Sequence, residues 1–262
     1  MSRNRNISRL LIALLIGGAG LVAAPAFQSS SSVVLAADSD AQLTAEVQKR
    51  LSGKNYKGVT VMADNGTVTL SGQVDLFGYK VDAVKKAKKV KGVRDVRDNI
   101  AVGGPTIPDD VLQHKLLSRI EVDRVGFGQV FDAISVHVQN GVVTLGGHAL
   151  GPVAQQSAVS LASYFPGVKQ VVNQISVDPV SPMDNGIRLR VYRAIYGYPA
   201  LRQYAIVPSK PIRISVQNGH VTLYGIVNNS MDKQLAYTRA MQVPNVFSVT
   251  NDLVVANQGN NK

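Results

Sequence analysis

The eight residues NGTVTLSG, at positions 65–72, decide the fold of this chain because they occur three times. They return as NGVVTLGG at 140–147 and as NGHVTLYG at 218–225, with only the third and seventh letters changing. Apolar residues alternate with polar ones on both sides of each Asn-Gly pair. Two such runs joined by Asn-Gly predict a β-hairpin, since both turn residues need positive φ. The sequence therefore predicts the same hairpin in three places.

The hairpin belongs to a longer repeated unit. A second motif follows every Asn-Gly pair at the same distance along the chain: GVRDVRDNIAV at 92–102, GVKQVVNQISV at 167–177 and NVFSVTNDLVV at 245–255. The residues between the two motifs, and those ahead of each hairpin, carry apolar residues at helical spacing. The predicted unit is helix, strand, strand, helix, strand, with the glycine that closes the hairpin phrase ending the second strand.

We predict an α+β fold made of three tandem small α/β sandwiches, each with two helices on one face of a three-stranded sheet. Domain 1 is expected at 38–104, domain 2 at 105–180 and domain 3 at 181–257, because glycine- and proline-rich linkers separate the copies. Domain 3 also carries an insertion at 197–211, which we predict to be a loop.

The first 37 residues are predicted to be a signal peptide and spacer. Three arginines precede an apolar run at 10–24, and Ala-Pro-Ala at 24–26 has the small residues of a signal-peptidase site. A second possible cleavage lies near residue 36. The alternative is an uncleaved anchor, but the apolar run is roughly 15 residues long and a membrane span needs about 20. We therefore expect export to the periplasm, or secretion where the cell has no outer membrane.

Composition argues against several kinds of chemistry. The chain has no cysteine, which excludes disulfides, thiol catalysis, cysteine-bound metals and a lipid-bearing cysteine. Its four histidines sit at unrelated positions of the unit without a short-spaced partner, and no glycine-rich phosphate loop is present. The acidic pair Asp109-Asp110 falls at a predicted helix start, where it complements the helix dipole. We predict no enzyme activity, no catalytic residue, no metal site and no cofactor.

The net charge of +11 is unevenly distributed. Residues 38–104 hold 12 basic and 8 acidic residues, residues 105–180 hold 4 and 6, and residues 181–262 hold 9 and 3. The positive charge therefore lies at both ends of the mature chain. In an exported protein this favours anionic lipid headgroups, cell-wall polymers or other proteins over nucleic acid.

The order of elements, the NGxVTLxG hairpin and the GVxxVxNxIxV motif are together similar to the BON domain. The resemblance covers nearly all of residues 40–256 as three tandem copies. It implies an exported bacterial protein of the type induced by osmotic stress, periplasmic or outer-membrane associated, whose domains associate with phospholipid membranes and are not known as enzymes. The shared residues belong to hairpin and core, so they identify a fold rather than a site.

A first candidate site lies on the second predicted helix of domain 1. With Phe77, Val81, Val84 and Ala87 on its inner face, three lysines project outward. A basic amphipathic helix attracts anionic lipid, whereas the alternative is an ordinary solvated helix face. The candidate lipid- or partner-binding residues here are Lys85, Lys86 and Lys89.

A second candidate site lies on the first helix of domain 3. With Ile187, Val191 and Ile195 turned inward, two tyrosines flanked by arginines fall on the opposite side. Such a stripe suits a membrane interface or a partner protein, although packing against another domain would bury it without any ligand. The candidate residues here are Arg188, Tyr192, Arg193 and Tyr196.

From these patterns we expect an exported, non-enzymatic binding protein that associates with anionic phospholipid membrane surfaces. It would support the cell envelope under osmotic or other stress. The alternative is a periplasmic protein–protein interaction or chaperone-like module that meets envelope proteins without direct lipid binding. We expect no nucleic-acid partner.

Overall fold

The computed structural model describes residues 31–123, 130–206 and 211–256. Most of the predicted signal peptide, including the cleavage near residue 26, lies outside these residues. The second predicted cleavage, near residue 36, falls within the first helix. Within the described ranges no helix is both long enough and apolar enough to cross a membrane.

Domain 1 has the predicted order of helix, strand, strand, helix, strand. Its elements are α1 (Ser31–Arg50), a 3-10 turn (Lys54–Tyr56), β1 (Val59–Asp64), β2 (Thr67–Val74), α2 (Phe77–Lys88) and β3 (Asp95–Val102). Strand β2 is central, antiparallel to β1 and parallel to β3. Val47 of α1 and Ala87 of α2 join one core with Val68 and Leu70 of β2, so both helices cover the same face of the sheet.

Domain 2 repeats this arrangement with its last strand split in two. Its elements are α3 (Asp109–Asp123), β4 (Ala133–Gln139), β5 (Val142–Leu150), α4 (Gly151–Ser163), β6 (Gln170–Asn173) and β7 (Ser176–Asp178). Both β6 and β7 run parallel to β5, so together they take the place that β3 has in domain 1. The α+β prediction of three small sandwiches is confirmed.

Domain 3 differs from the other two in the segment ahead of its hairpin. Its elements are α5 (Pro182–Tyr196), a 3-10 turn (Pro199–Leu201), α6 (Gln203–Ile206), β8 (Arg213–Gln217), β9 (His220–Val227), α7 (Ser230–Met241) and β10 (Ser248–Val255). The predicted loop at 197–211 was therefore wrong in part. Leu201 and Tyr204 are buried in the domain core, and the Tyr204 hydroxyl donates to Asp232 at 2.6 Å. Leu201 and Tyr204 thus hold the described part of the insertion, residues 197–206, against the core, which its glycine and proline did not indicate. Residues 207–210 of the predicted loop lie outside the described residues.

The predicted Asn-Gly turns are confirmed, and each is held by a carboxylate. All six turn residues have φ between 48° and 81°. In every domain an aspartate of the first helix accepts hydrogen bonds from both turn N–H groups, with the closest at 2.6–2.9 Å. The three aspartates are Asp40, Asp109 and Asp184. Asp109 thus does more than complement a helix dipole, because it ties the helix to the hairpin.

The prediction that the glycine closing the hairpin phrase ends the second strand is wrong. Gly72, Gly147 and Gly225 lie inside β2, β5 and β9. Each has positive φ, and each passes so close to a backbone carbonyl of the preceding strand or its lead-in that a Cβ would collide with it. Only glycine fits a strand at such a close approach.

Helix α2 buries its predicted inner face only in part, since Ala87 is buried and Val84 packs against the core of domain 1 as predicted, while Ala83 joins them unpredicted. Ala83 and Ala87 are fully buried against the sheet of domain 1, whereas Val81 is only partly buried. Phe77 packs against the core of domain 2 instead. A helical wheel predicts which residues of α2 share a face. It does not distinguish residues that contact the domain's own sheet from residues that contact a neighbouring domain.

Candidate functional site

The end of α2 presents the basic surface that the sequence indicated, with one exception. Lys85 and Lys89 are exposed, and so are Lys88 and Lys91 beside them. Lys86 is only partly exposed, since its ammonium group lies 4.2 Å from the centre of the Tyr56 ring in a cation–π contact. Lys86 therefore has a structural partner that the other four lysines do not share.

Arg188 does not lie on an outward face, and its prediction as a surface residue was wrong. Its side chain is 1% exposed. The guanidinium donates to the carbonyls of Pro179 at 2.9 Å and Val216 at 2.6 Å, and to Asn185 Oδ1 at 2.7 Å. Burial lowers the pKa of Arg188, and the nearby carboxylates of Asp178 and Asp184 act in the opposite direction. Arg188 thus ties α5 to the domain linker and to β8.

The tyrosine stripe of α5 is used for packing inside the protein. Tyr196 is 6% exposed, and its hydroxyl donates to the Ile212 carbonyl at 2.6 Å, while burial raises its pKa well above the ordinary value. Tyr192 packs against Tyr196 and, edge-on, against Phe131 of domain 2. The inter-domain alternative therefore describes this stripe. Arg193 alone of the four predicted α5 residues is exposed.

A partly buried polar cluster also joins domains 2 and 3. Asp178, at the end of β7, is fully buried and lies 3.1 Å from His148 Nδ1. Gln217 of β8 donates to Asp178 at 2.8 Å, and Tyr224 of β9 stacks on the His148 ring. The sequence indicated no partner for His148, because Asp178 follows it by 30 residues and Gln217 by 69.

The contact between domains 1 and 2 is aromatic. Tyr164, just after α4, meets the Tyr79 ring edge-on, and its hydroxyl donates to Asp82 of α2. Burial and this carboxylate raise the pKa of Tyr164 to about 12. A Cβ at Gly78 would collide with the Tyr164 ring, so a glycine is needed where the two helices meet.

The contacts described so far hold neighbouring domains together. Across residues 31–123, 130–206 and 211–256, no group of three or more histidine, aspartate or glutamate side chains is placed to hold a metal ion. The His148–Asp178 pair is tied to Gln217 and lies between two domains, where it fixes their contact. Among the described residues, the lysines at the end of α2 and Arg193 of domain 3 are exposed and available to a ligand.

Comparison with known proteins adds the family. The family model described as the BON domain matches this chain three times, at residues 39–104, 108–179 and 198–257. The chain belongs to the BON family. In this BON protein the third match begins after α5, yet α5 packs on the sheet of domain 3 through Ile187, Val191 and Ile195, and its Asp184 holds the hairpin as Asp40 and Asp109 do.

One relative of this BON protein is osmotically-inducible protein Y of Escherichia coli strain K12. The two are 31% identical over 150 residues, which is 52% of this chain and 71% of the relative. Among solved structures, CdsD of the type III secretion system of Chlamydia trachomatis aligns over 82% of this chain and 92% of its own, with 17% identity and a TM-score of 0.24. The periplasmic domain of PrgH aligns over 80% and 98%, with 11% identity and a TM-score of 0.19. Likenesses this weak do not bear on function.

Proposed function

We propose that this BON protein is a periplasmic, stress-related binding protein without enzyme activity. It associates with anionic phospholipid surfaces through the basic end of α2, defined by Lys85, Lys88, Lys89 and Lys91. The family supports a binding role, and the osmotically-inducible relative supports a part in the stress response of the envelope. The predicted signal peptide supports the location.

The single observation that carries the lipid proposal is that these four lysines are exposed and have no ion pair among the described residues. Lys80, nearer the start of the same helix, shows the contrast. It lies 3.4 Å from Asp98 and donates to the Ile100 carbonyl at 2.6 Å, so it has a structural role. One or two cations are enough to complement a helix C-terminus, and a group of four exceeds that need.

The expected strength follows from the number of lysines. Each basic residue close to an anionic leaflet contributes about 1 kcal/mol, so four contribute roughly 4 kcal/mol, or close to a thousandfold in partitioning. Salt weakens the attraction, because the Debye length falls from about 30 Å at 0.01 M to about 8 Å at 0.15 M. Binding of this kind is reversible and sensitive to ionic strength.

Flotation of the protein with phosphatidylglycerol vesicles at low and physiological salt tests the proposal. We expect the double variant Lys85→Gln, Lys89→Gln to bind about 30-fold more weakly, since it loses two contributions of about 1 kcal/mol. The matched control is Lys115→Gln, Arg119→Gln, which removes two exposed charges from α3 of domain 2. Equal losses in both variants would show that net charge alone acts, and unchanged binding in the first would refute the assignment to α2.

The alternative of a protein-interaction module was based on the tyrosines of α5. Tyr192 packs on Phe131 of domain 2 and Tyr196 is buried in the core of domain 3, so both rings have partners within the protein, which weakens this alternative. The lysine surface remains the better-supported candidate.

A further inference from the structure

Three arginines converge on one groove in domain 3. Arg190 and Arg193 come from α5, and Arg239 comes from the last turn of α7. The groove has a volume of about 450 Å³. Its other lining residues are Ala194, Gly197, Gln242, Val243 and Pro244. No acidic side chain lines it, and the ion pairs of the described residues include none of these arginines.

Two of the arginine side chains are held in place by contacts with other residues of domain 3. Arg239 lies over the Tyr198 ring, 4.3 Å from its centre, and Arg190 Nη2 lies 3.4 Å from the Pro244 carbonyl oxygen. The Nε atoms of both arginines are buried and have no hydrogen-bond partner in the described structure. Buried donors without an acceptor are rare in native proteins, and each one calls for an explanation such as a bound ion or water.

The charges of the groove do not balance internally. The three guanidinium groups are all cations, because arginine remains protonated in proteins. The groove also faces the C-terminal ends of α5 and α7, and each helix end supplies about half a negative charge. The arginines therefore complement the helix dipoles and still leave an excess of about two positive charges, which repel one another until an anion enters.

We propose that this groove binds a phosphate group. A guanidinium presents paired N–H donors that match the oxygens of phosphate or carboxylate, and three guanidiniums from two helices suit an acceptor with three or more oxygens. The phosphate could belong to a phospholipid headgroup or to a soluble phosphate ester. The groove lies in domain 3 and the lysine surface in domain 1, so binding of a soluble phosphate ester does not depend on the proposed membrane function. Binding of a phospholipid headgroup rests on that function.

Titration calorimetry of the full chain with inorganic phosphate and with glycerol 1-phosphate, against chloride at equal ionic strength, tests this site. We expect saturable binding of at least one of the two that weakens tenfold or more in Arg239→Gln and in Arg190→Gln, as charge-assisted hydrogen bonds are lost. Arg190→Lys should weaken binding as well, because it keeps the charge but loses the paired donors. Arg119→Gln, an exposed arginine of α3, should leave binding unchanged.

Arg193→Gln provides a second route if a variant of the half-buried arginines fails to fold, since Arg193 is exposed. Absence of saturable binding in the wild type, or an equal loss in Arg119→Gln, would overturn the proposal. Competition of glycerol 1-phosphate with phosphatidylglycerol vesicles would assign the site to a headgroup, and its absence would assign it to a soluble ester. The lysine variants separate the two proposals, because they should weaken vesicle binding and leave the phosphate titration unchanged.

Discussion

Replacing the glycine inside the central strand should be among the most damaging single changes in each domain. A Cβ at Gly225 would lie 2.6 Å from the Pro211 carbonyl oxygen, and at Gly72 or Gly147 it would lie closer still to the carbonyl of Gly58 or Ala133. Since Cβ contacts under 3.0 Å essentially never occur, the paired strand must move away even at Gly225, where the collision is mildest. The Gly58 carbonyl also accepts a hydrogen bond from Gln73 N–H, which such a movement would weaken.

The cost can be worked from two contributions. The φ values of 105° at Gly72 and 82° at Gly147 are rarely adopted by alanine, and such backbone strain costs about 1–3 kcal/mol. Forcing a methyl group against a neighbouring backbone costs a further 1–3 kcal/mol, roughly. We therefore expect Gly72→Ala and Gly147→Ala to destabilise their domains by about 2–6 kcal/mol, a large part of the roughly 3–10 kcal/mol available to a domain of this size.

The chain supplies its own control at Gly146, the neighbour of Gly147. Gly146 has no positive φ, and a Cβ there would meet only the Ser135 hydroxyl, at 3.0 Å, which can rotate away. Gly146→Ala should therefore change the stability of domain 2 by less than about 1 kcal/mol. Amide hydrogen exchange resolved by domain is the suitable assay, because three linked domains need not unfold in one step. A loss below about 1 kcal/mol in Gly147→Ala would refute the steric argument.

Two further predictions concern domain 3. Burial alone would raise the pKa of Asp184, but hydrogen bonds from Gly219, Ser181 and Asn218, with Arg188 nearby, lower it below its ordinary 3.8 on balance. This contribution to stability is present above pH 3.8 and is lost as the pH falls through the folded-state pKa. In urea unfolding measured over a series of pH values, the stability of Asp184→Asn should therefore fall less steeply on the acid side than that of the wild type. An equal fall in both proteins would contradict this. Arg188→Met should cost about 3–5 kcal/mol in the same assay, because it leaves buried acceptors unpaired. Arg193→Met, an exposed arginine on the same helix, should cost less than about 0.5 kcal/mol, and equal costs would refute the role of burial.

The features that sequence reasoning predicted well are local ones. Asn-Gly turns, strand alternation and helix spacing are each encoded by residues close together in the chain, and the structure has them in all three copies. The glycine of the central strand was misplaced for a related reason. A positive φ and a turn exit look alike in sequence, and only the approach of another strand distinguishes them.

The candidate sites depended on contacts that are distant in sequence, and these were predicted less well. Lys86 of α2 meets Tyr56, which lies ahead of the hairpin, and Tyr192 of domain 3 meets Phe131 of domain 2. A helical wheel predicts which residues share a face, but it does not show whether that face meets solvent or another domain. Arg239 was missed altogether, because its relation to Arg190 and Arg193 exists only where α7 ends beside α5.

The difference in net charge between domains 2 and 3 contributes to the contact between them. Domain 2, the one acidic copy, supplies Glu121 to Arg213 of domain 3 at 2.8 Å and buries Asp178 near Arg188. Carboxylates of domain 2 therefore interact with two arginines of the basic domain 3, Arg188 and Arg213. The groove of Arg190, Arg193 and Arg239 lies apart from this contact and has no such carboxylate partner among the described residues. Cations that remain unpaired after the domains have been joined are the ones that a phosphate-bearing ligand can use.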